Sequence, residues 1–304
     1  MKLRPRHYFS IFLHLFLVYI SWGTSYLGFS LSLEVLGPFF SCGFRMAFGG
    51  FLLCLFCRIT SRWRPIEFAD IVHALKYGFF MVVAASGFLC YGQQYVSSGV
   101  ASIITGSTPI TMILASWLIA REAKPDRRTC IGLIGGSFAL LLLSYDQCFG
   151  QVDGQNALYG VFWILMATFG WVAGSLLLRH AHRKNALPAL QDCGLLLFVG
   201  GLESLAIGLV FGEGSAMHFE RLTVWIALAF AWMVIGGAIL AYSSYFWLLR
   251  HVSLSVAVSY EYVVPVIALF LGWWLLDERL TIRMLCAAFI AISSVVLVMH
   301  RSRR

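Results

Sequence analysis

The chain has 304 residues, of which 60% are hydrophobic and only 12% are charged. Because a water-soluble domain carries roughly 25% charged residues, this composition excludes a soluble enzyme or binding module and indicates an all-α membrane protein. The formal net charge of +8 does not indicate nucleic-acid binding, since the basic residues are concentrated in short segments between apolar runs.

Apolar runs long enough to cross a bilayer, about 20 residues, follow one another along the chain. The first run is too long for a signal peptide and lacks a small-residue cleavage site, so we expect it to be retained. The connections are short and leave no room for a soluble domain. We predict ten membrane-spanning helices, near residues 8–31, 37–57, 71–95, 98–120, 127–145, 157–178, 188–211, 222–249, 254–276 and 281–299.

The lysine and arginine residues predict the orientation of these helices. With a cytoplasmic N-terminus, eighteen basic residues fall on the inner side, whereas only Arg221, Arg279 and Arg283 fall outside. We therefore expect both termini in the cytoplasm. The inner basic residues then face a leaflet that is usually anionic, which makes the lipid bilayer, and not nucleic acid, their partner.

An internal repeat relates the two halves of the chain. Val96, Ser97, Val100, Ala101, Pro109, Trp117, Glu122 and Arg127 recur at a constant offset of 156 as Val252, Ser253, Val256, Ala257, Pro265, Trp273, Glu278 and Arg283. Cys42-Gly43 and Gly49-Gly50 recur as Cys193-Gly194 and Gly200-Gly201, and Trp171 is a loose counterpart of Trp22. These matches predict two five-helix repeats, residues 1–146 and 147–304. Because five is odd, the second repeat is inverted, an arrangement typical of secondary transporters with a substrate site near the midplane.

Three stretches of the sequence resemble a known family. They are WGTSY at 22–26, FRMAFGG at 44–50 and the repeated pattern of alanine, proline, tryptophan and glutamate. Together with the ten spans, they resemble the drug/metabolite transporter superfamily, and most closely its EamA-domain exporters. The resemblance implies a bacterial inner-membrane carrier, often an exporter of amino acids or other metabolites. It also implies a central cavity lined mainly by helices one, three, four, six, eight and nine.

Charged residues within spans are candidate functional groups, because a charge at the centre of a membrane helix costs about 2.5–3.5 kcal/mol and usually faces the protein interior or a wet cavity. Arg45 and Glu203 lie at equal depth as structural or gating candidates, so they either form a direct ion pair or act independently, with Arg45 fixing helix packing or attracting an anionic group. Glu261 lies one helical turn before Pro265. It is a candidate proton-coupling group or an anchor for a substrate ammonium, and a structural acid is the alternative.

Prolines and acids recur at matching positions of the fourth and ninth spans. Pro109 and Pro265 each remove a backbone hydrogen bond, which predicts a mid-helix break, either a hinge or a tolerated kink. Glu122 and Glu278 close the two spans. We expect them to anchor the last turn of each helix, and a gating role is the alternative.

Polar and aromatic side chains cluster near the proline-containing helices and are suited to an amphipathic or planar small solute. Any one of them is alternatively a packing residue or an interface anchor. The predicted substrate site consists of Trp22, Ser25, Tyr26, Tyr91, Thr105, Trp171, Tyr242, Tyr245, Tyr260 and Glu261.

The function predicted from these features is a secondary transporter. It would move a small metabolite, an amino acid or a drug across the cytoplasmic membrane, as an exporter with alternating access between the repeats. Protons are a candidate coupling partner, and the chain is a monomer or a homodimer. The cysteine spacing indicates no metal site and no Walker motif is present, so no cofactor is predicted. The alternatives are a membrane enzyme and a non-transporting membrane protein.

Overall fold

The described part of the chain is a bundle of helices. The computed structural model describes residues 5–96, 101, 104–143, 157–181, 186–215, 217–276 and 281–299. The helices are α1 Pro5–Leu33, α2 Pro38–Ile59, α3 Phe68–Gly92, α4 Thr108–Leu118, α5 Arg127–Leu143, α6 Ala157–Arg179, α7 Ala189–Val210, α8 Val224–His251, α9 Tyr260–Leu276 and α10 Ile282–Met299.

The all-helical fold class is confirmed for the described residues. Helices α1, α2, α3, α6, α7 and α8 are long and apolar enough to cross a membrane, whereas the apolar segments of α4, α9 and α10 are shorter. The predicted bounds of the second, sixth and seventh spans agree with α2, α6 and α7 to within two residues. Hydropathy locates these helices well because apolar runs of this length have few alternative structures in a bilayer.

The fourth and ninth spans are interrupted. Residues 106 and 107 form a turn before α4, so Pro109 lies in the first turn of that helix and not in its middle. The fourth span is thus broken as predicted, but just before Pro109, where proline sacrifices no helical hydrogen bond. Pro265 does lie inside α9. The ninth span is broken at residues 258 and 259, which places Glu261 in the first turn of α9.

Two helices contain a wide, π-helical segment at corresponding positions. The segment in α3 is Phe79–Gly87 and the segment in α8 is Met233–Ala241. Each has nine residues, and the two are offset by 154 residues. Such segments are rare and frequently occur at functional sites. Both lie next to the cavity described below.

The helix contacts follow a regular scheme. Helix α2 packs against α7, and α5 packs against α10. Helix α1 packs against α8 and α9, and α6 packs correspondingly against α3 and α4. Exchanging the first five helices for the second five therefore leaves these contacts unchanged.

The contact between α2 and α7 brings two backbones together at glycines. A Cβ atom on Gly50 would lie 2.3 Å from the backbone nitrogen of Phe198, and one on Gly201 would lie 2.3 Å from that of Ala47. Small residues permit such approach between membrane helices, where packing replaces the hydrophobic effect as the driving force. Phe44, Phe48 and Phe51 of α2 are exposed, as expected for side chains that face lipid.

Glu213 connects the turn after α7 to the start of α2. Its carboxylate accepts hydrogen bonds from the backbone N–H groups of Phe39 at 3.1 Å and Phe40 at 2.8 Å. The first N–H groups of a helix have no partner within it, and a carboxylate also interacts favourably with the helix dipole there. Glu213 therefore caps α2 from 173 residues away.

We predict that Gly50→Ala destabilises the protein, because the new methyl group must displace the backbone of α7. The expected cost is about 1–3 kcal/mol, as for other overpacked sites. Gly214→Ala is the control, since its nearest neighbouring atom would lie 3.8 Å away. Thermal unfolding in detergent measures both variants. Equal midpoints for the two variants would show that the α2–α7 contact is looser than described.

We predict that Glu213→Ala lowers the free energy of unfolding by about 1–2 kcal/mol through loss of the helix cap. Glu220→Ala is the control, because Glu220 is an exposed acid of the same connection. Thermal unfolding midpoints measured side by side report the difference. A deficit no larger than that of the control would contradict the capping role.

The contribution of Glu213 to the free energy of unfolding is also predicted to depend on pH. Burial raises the pKa of the Glu213 carboxyl above its usual value of 4.5, and the hydrogen bonds from Phe40 and Phe39 partly offset this. The folded state therefore holds the proton more tightly than the unfolded state. The contribution of Glu213 to stability is complete below pH 4.5 and decreases as pH rises through the raised folded pKa. The loss of unfolding free energy caused by Glu213→Ala is accordingly expected to become smaller as pH rises. A loss that increases with pH would contradict this prediction.

Candidate functional site

A cavity of about 130 Å³ lies inside the bundle. Its walls come from α1, α2, α3, α4, α6, α8 and α9, and from the residues just before α4. The cavity is thus surrounded by both halves of the chain. The lining residues are Trp22, Ser25, Arg45, Met46, Ala85, Ser86, Leu89, Gln93, Thr105, Thr108, Ala167, Thr168, Trp171, Gly237, Tyr242, Tyr260, Glu261 and Val264.

The structure brings most of the predicted site residues together. Seven of them line the cavity: Trp22, Ser25, Thr105, Trp171, Tyr242, Tyr260 and Glu261. Tyr245 lies directly behind Trp171, and the side chain of Tyr26 lies outside the described residues. Tyr91 belongs to a different aromatic cluster, with Phe39, Trp163 and Phe211 at centroid distances of 5.2–5.6 Å. The functional roles of all ten residues stay predictions.

Trp22 is the centre of the aromatic wall. Its ring centroid lies 4.5 Å from that of Tyr260, 5.5 Å from that of Trp171 and 5.7 Å from that of Tyr242. Trp171 in turn stacks on Tyr245 at 5.0 Å. Edge-to-face and stacked arrangements of this kind are the favourable geometries for aromatic pairs. The wall is therefore an ordered aromatic surface against which a planar group can pack.

Two cavity side chains hold the π-helical segments in place. The indole N–H of Trp22 donates to the carbonyl of Gly237 at 3.2 Å, in the segment of α8. The hydroxyl of Tyr242 donates to the carbonyl of Met81 at 3.0 Å, in the segment of α3, and lies 3.0 Å from Ser86 Oγ. The cavity lining and the irregular backbone are therefore coupled.

Arg45 and Glu261 both line the cavity, which therefore contains a guanidinium and a carboxyl group. Arg45 is buried on α2, and its guanidinium lies 3.7 Å from Met233 Sδ. Glu261 comes from the first turn of α9. Among the described ion pairs, none joins Arg45 to Glu203, and Glu203 does not line the cavity. This arrangement favours the alternative in which Arg45 and Glu203 act independently.

Glu122 is part of a polar cluster away from the central cavity. Its carboxylate lies 2.9 Å from Arg179 Nε and 3.3 Å from His180 Nε2. The contact links the segment after α4 to the end of α6, as an anchor or a gate would. The repeat counterpart, Glu278, lies outside the described residues.

Sequence reasoning missed several lining residues. Ser86, Thr168 and Gly237 are small or weakly polar and carry no unusual signal in an apolar helix. Thr168 lies one helical turn before Trp171, so helical spacing could have placed it on the same face. The contribution of α2 through Arg45 and Met46 was also absent from the expected set of lining helices.

The fold and the cavity define a multi-pass helical membrane protein with an internal cavity of aromatic and polar side chains. The sequence profile of the EamA-like transporter family matches residues 9–145 and 158–300. The chain therefore belongs to the EamA-like transporter family.

Similar proteins carry transporter names. The uncharacterized inner membrane transporter YedA of Escherichia coli K12 is 28% identical over 97% of this chain and 92% of its own length. The S-adenosylmethionine/S-adenosylhomocysteine transporter of Chlamydia muridarum is 25% identical over 99% of this chain and 93% of its own length. A solved crystal structure aligns over 97% of this chain and 98% of its own, with a TM-score of 0.75 and 17% identity. At this identity the likeness concerns the fold alone.

Proposed function

We propose that this protein is a secondary transporter that exports a small amphipathic metabolite through alternating access of the central cavity. The observation that carries this proposal is the position of Arg45 and Glu261 in one aromatic-walled cavity surrounded by both halves of the chain. A buried charge in a membrane protein is costly and usually serves an ion or substrate pathway. The family membership supports the transport activity itself.

The two halves act as inverted repeats in this proposal. Three observations support the arrangement: the odd number of predicted helices in each half, the helix contacts that survive exchange of the halves, and the family profile that matches once in each half. The break in the ninth span adds a fourth, because discontinuous helices commonly form the binding sites of such transporters.

The solute class follows from the chemistry of the walls. Aromatic rings favour a planar group, Arg45 favours a carboxylate and Glu261 favours an ammonium. A small zwitterion with an aromatic part, such as an aromatic amino acid, satisfies all three. S-adenosylmethionine, the solute in the name of the Chlamydia relative, carries the same combination of a planar base and an amino-acid group. Both solutes therefore belong in the first transport tests.

The membrane location follows from charge and relatives. The inner basic residues and the name of the Escherichia coli relative support the bacterial inner membrane with both termini in the cytoplasm.

We predict that Ala123→Cys, beside Glu122, reacts with an impermeant thiol reagent from the cytoplasmic side. Thr281→Cys, beyond the corresponding position of the second half, should react from the opposite side. In a cysteine-free background, labelling of both positions from one side would reject the inverted arrangement.

We predict that Glu261→Gln weakens transport of L-phenylalanine by raising KM about tenfold or more, because a hydrogen bond to a charged group contributes about 1.5–3 kcal/mol. Uptake of 3-phenylpropionate, which has no ammonium, should change little. Glu203→Gln is the matched control, since Glu203 lies outside the cavity lining. Counterflow of labelled solute into proteoliposomes is the measurement.

The same experiment separates anchoring from proton coupling. If Glu261 transfers protons, Glu261→Gln should abolish the response of flux to a pH gradient without raising KM. A variant that transports like the parent, with the same KM and the same pH-gradient response, would show that Glu261 has neither role.

A further inference from the structure

A second cavity, of about 220 Å³, lies near the ends of α4 and α6. Its polar lining residues are Ser116, Glu122, Thr129, Arg179, Ser253 and Ser255. Glu122 and Arg179 are only about a quarter exposed, at 25% and 22% of their side chains. This cavity, named the inner cavity below, thus contains a carboxylate and a guanidinium, like the central one.

The inner cavity lies in line with the central cavity along two helices. Trp171 lines the central cavity and Arg179 the inner one, eight residues later on α6. On α4, Thr108 and Ser116 are related in the same way, again by eight residues. At a rise of about 1.5 Å per residue, both helices separate the two cavities by about 12 Å. The cavities are therefore successive positions along one axis of the bundle.

A layer of buried side chains separates the two positions. Tyr245 is completely buried, stacks on Trp171 and lies 2.9 Å from Ser175 Oγ. Ser175 is midway between Trp171 and Arg179 on α6. Met112 of α4 is also completely buried. A solute passing between the cavities must displace this layer.

Arg179 uses different nitrogen atoms for different partners. Its Nη1 donates to the backbone carbonyls of Leu249 and Val252, which fixes the guanidinium against the end of α8. Its Nε donates to Glu122 at 2.9 Å. Removing one partner of a partly buried ion pair is costly, because the other charge is left uncompensated. A solute that supplies both charges avoids this cost.

We propose that the inner cavity is a second binding site for the same zwitterionic solute on its way from the cytoplasm to the central cavity. The solute carboxylate takes the place of Glu122 at Arg179 Nε, and the solute ammonium pairs with the released Glu122. The carbonyl contacts of Arg179 keep the guanidinium in position throughout. This inference rests on the proposed transport function and on the proposed orientation of the chain in the membrane. It adds a second binding site to the one in the central cavity.

The test measures protection of a cysteine in the inner cavity. Ser253→Cys is made in a variant whose eight native cysteines are replaced, and it is labelled with an impermeant maleimide from the cytoplasmic side of vesicles. Labelling should slow about tenfold when L-phenylalanine or S-adenosylmethionine is present at about ten times its dissociation constant. Phenethylamine and 3-phenylpropionate, which carry one charge each, should protect much less. Thr60→Cys, an exposed position outside both cavities, should show no protection.

Two further variants assign the protection to the inner cavity. Glu122→Gln removes the ammonium partner and should abolish protection at Ser253→Cys, whereas Glu261→Gln, in the central cavity, should leave it intact. Arg179 is kept because its carbonyl contacts make its loss a folding defect. The opposite pattern, with protection lost in Glu261→Gln and kept in Glu122→Gln, would overturn the proposal.

The outcome distinguishes this proposal from the transport function on which it rests. Counterflow of either solute by the parent, without protection at Ser253→Cys, would overturn the inner site and leave the transporter intact. Protection that depends on Glu122 but occurs without counterflow would keep the inner site and overturn the transport function. Absence of protection by both solutes, whatever the flux, overturns the inner site.

Ser253→Trp, which fills the cavity from its exposed rim, should slow efflux while preserving the thermal unfolding midpoint.

Discussion

The absence of water in a bilayer is the constraint on which this structure depends. Every backbone N–H or carbonyl group released from regular helical bonding needs a partner within the protein, because hydrocarbon offers none. The described structure meets this need with side chains from distant helices. Trp22 and Tyr242 bond to the π-helical segments, Arg179 bonds to the end of α8, and Glu213 bonds to the start of α2. Of these, Trp22 and Tyr242 satisfy carbonyl groups of the irregular backbone next to the cavity.

Two of these side chains therefore have two structural roles. Trp22 and Tyr242 form the aromatic wall of the cavity and also hold the backbone behind it. A solute that shifts either ring consequently alters the bonding of a π-helical segment. Because the segments lie in α3 and α8, which correspond to each other in the two halves, a change in the cavity reaches both halves by equivalent routes. In the proposed transport function, this coupling is what would link solute binding to movement of the two halves.

Much of the fold could be predicted from apolar length alone, but the cavity only in part. Glu261 and Trp22 stand out because charged and amphipathic residues are rare among apolar neighbours. The π-helical segment Phe79–Gly87 could not be predicted, since its sequence is as apolar as an ordinary helix. The position of Tyr91 outside the cavity lining could not be predicted, because the sequence gives the residue type but not the direction in which its side chain points. The Glu213 cap was missed since it joins positions 173 residues apart.

The glycine contact between α2 and α7 has a consequence for synthesis of the chain. Gly50 meets its partner helix only after about 150 more residues have been added, which takes roughly 8–30 s at about 5–20 residues per second. During that interval the glycine face of α2 has no matching surface, and the Glu213 carboxylate that completes its first turn has not yet been made. Assembly of the bundle core therefore cannot precede insertion of α7. The order of translation therefore limits the order in which this interface can pack.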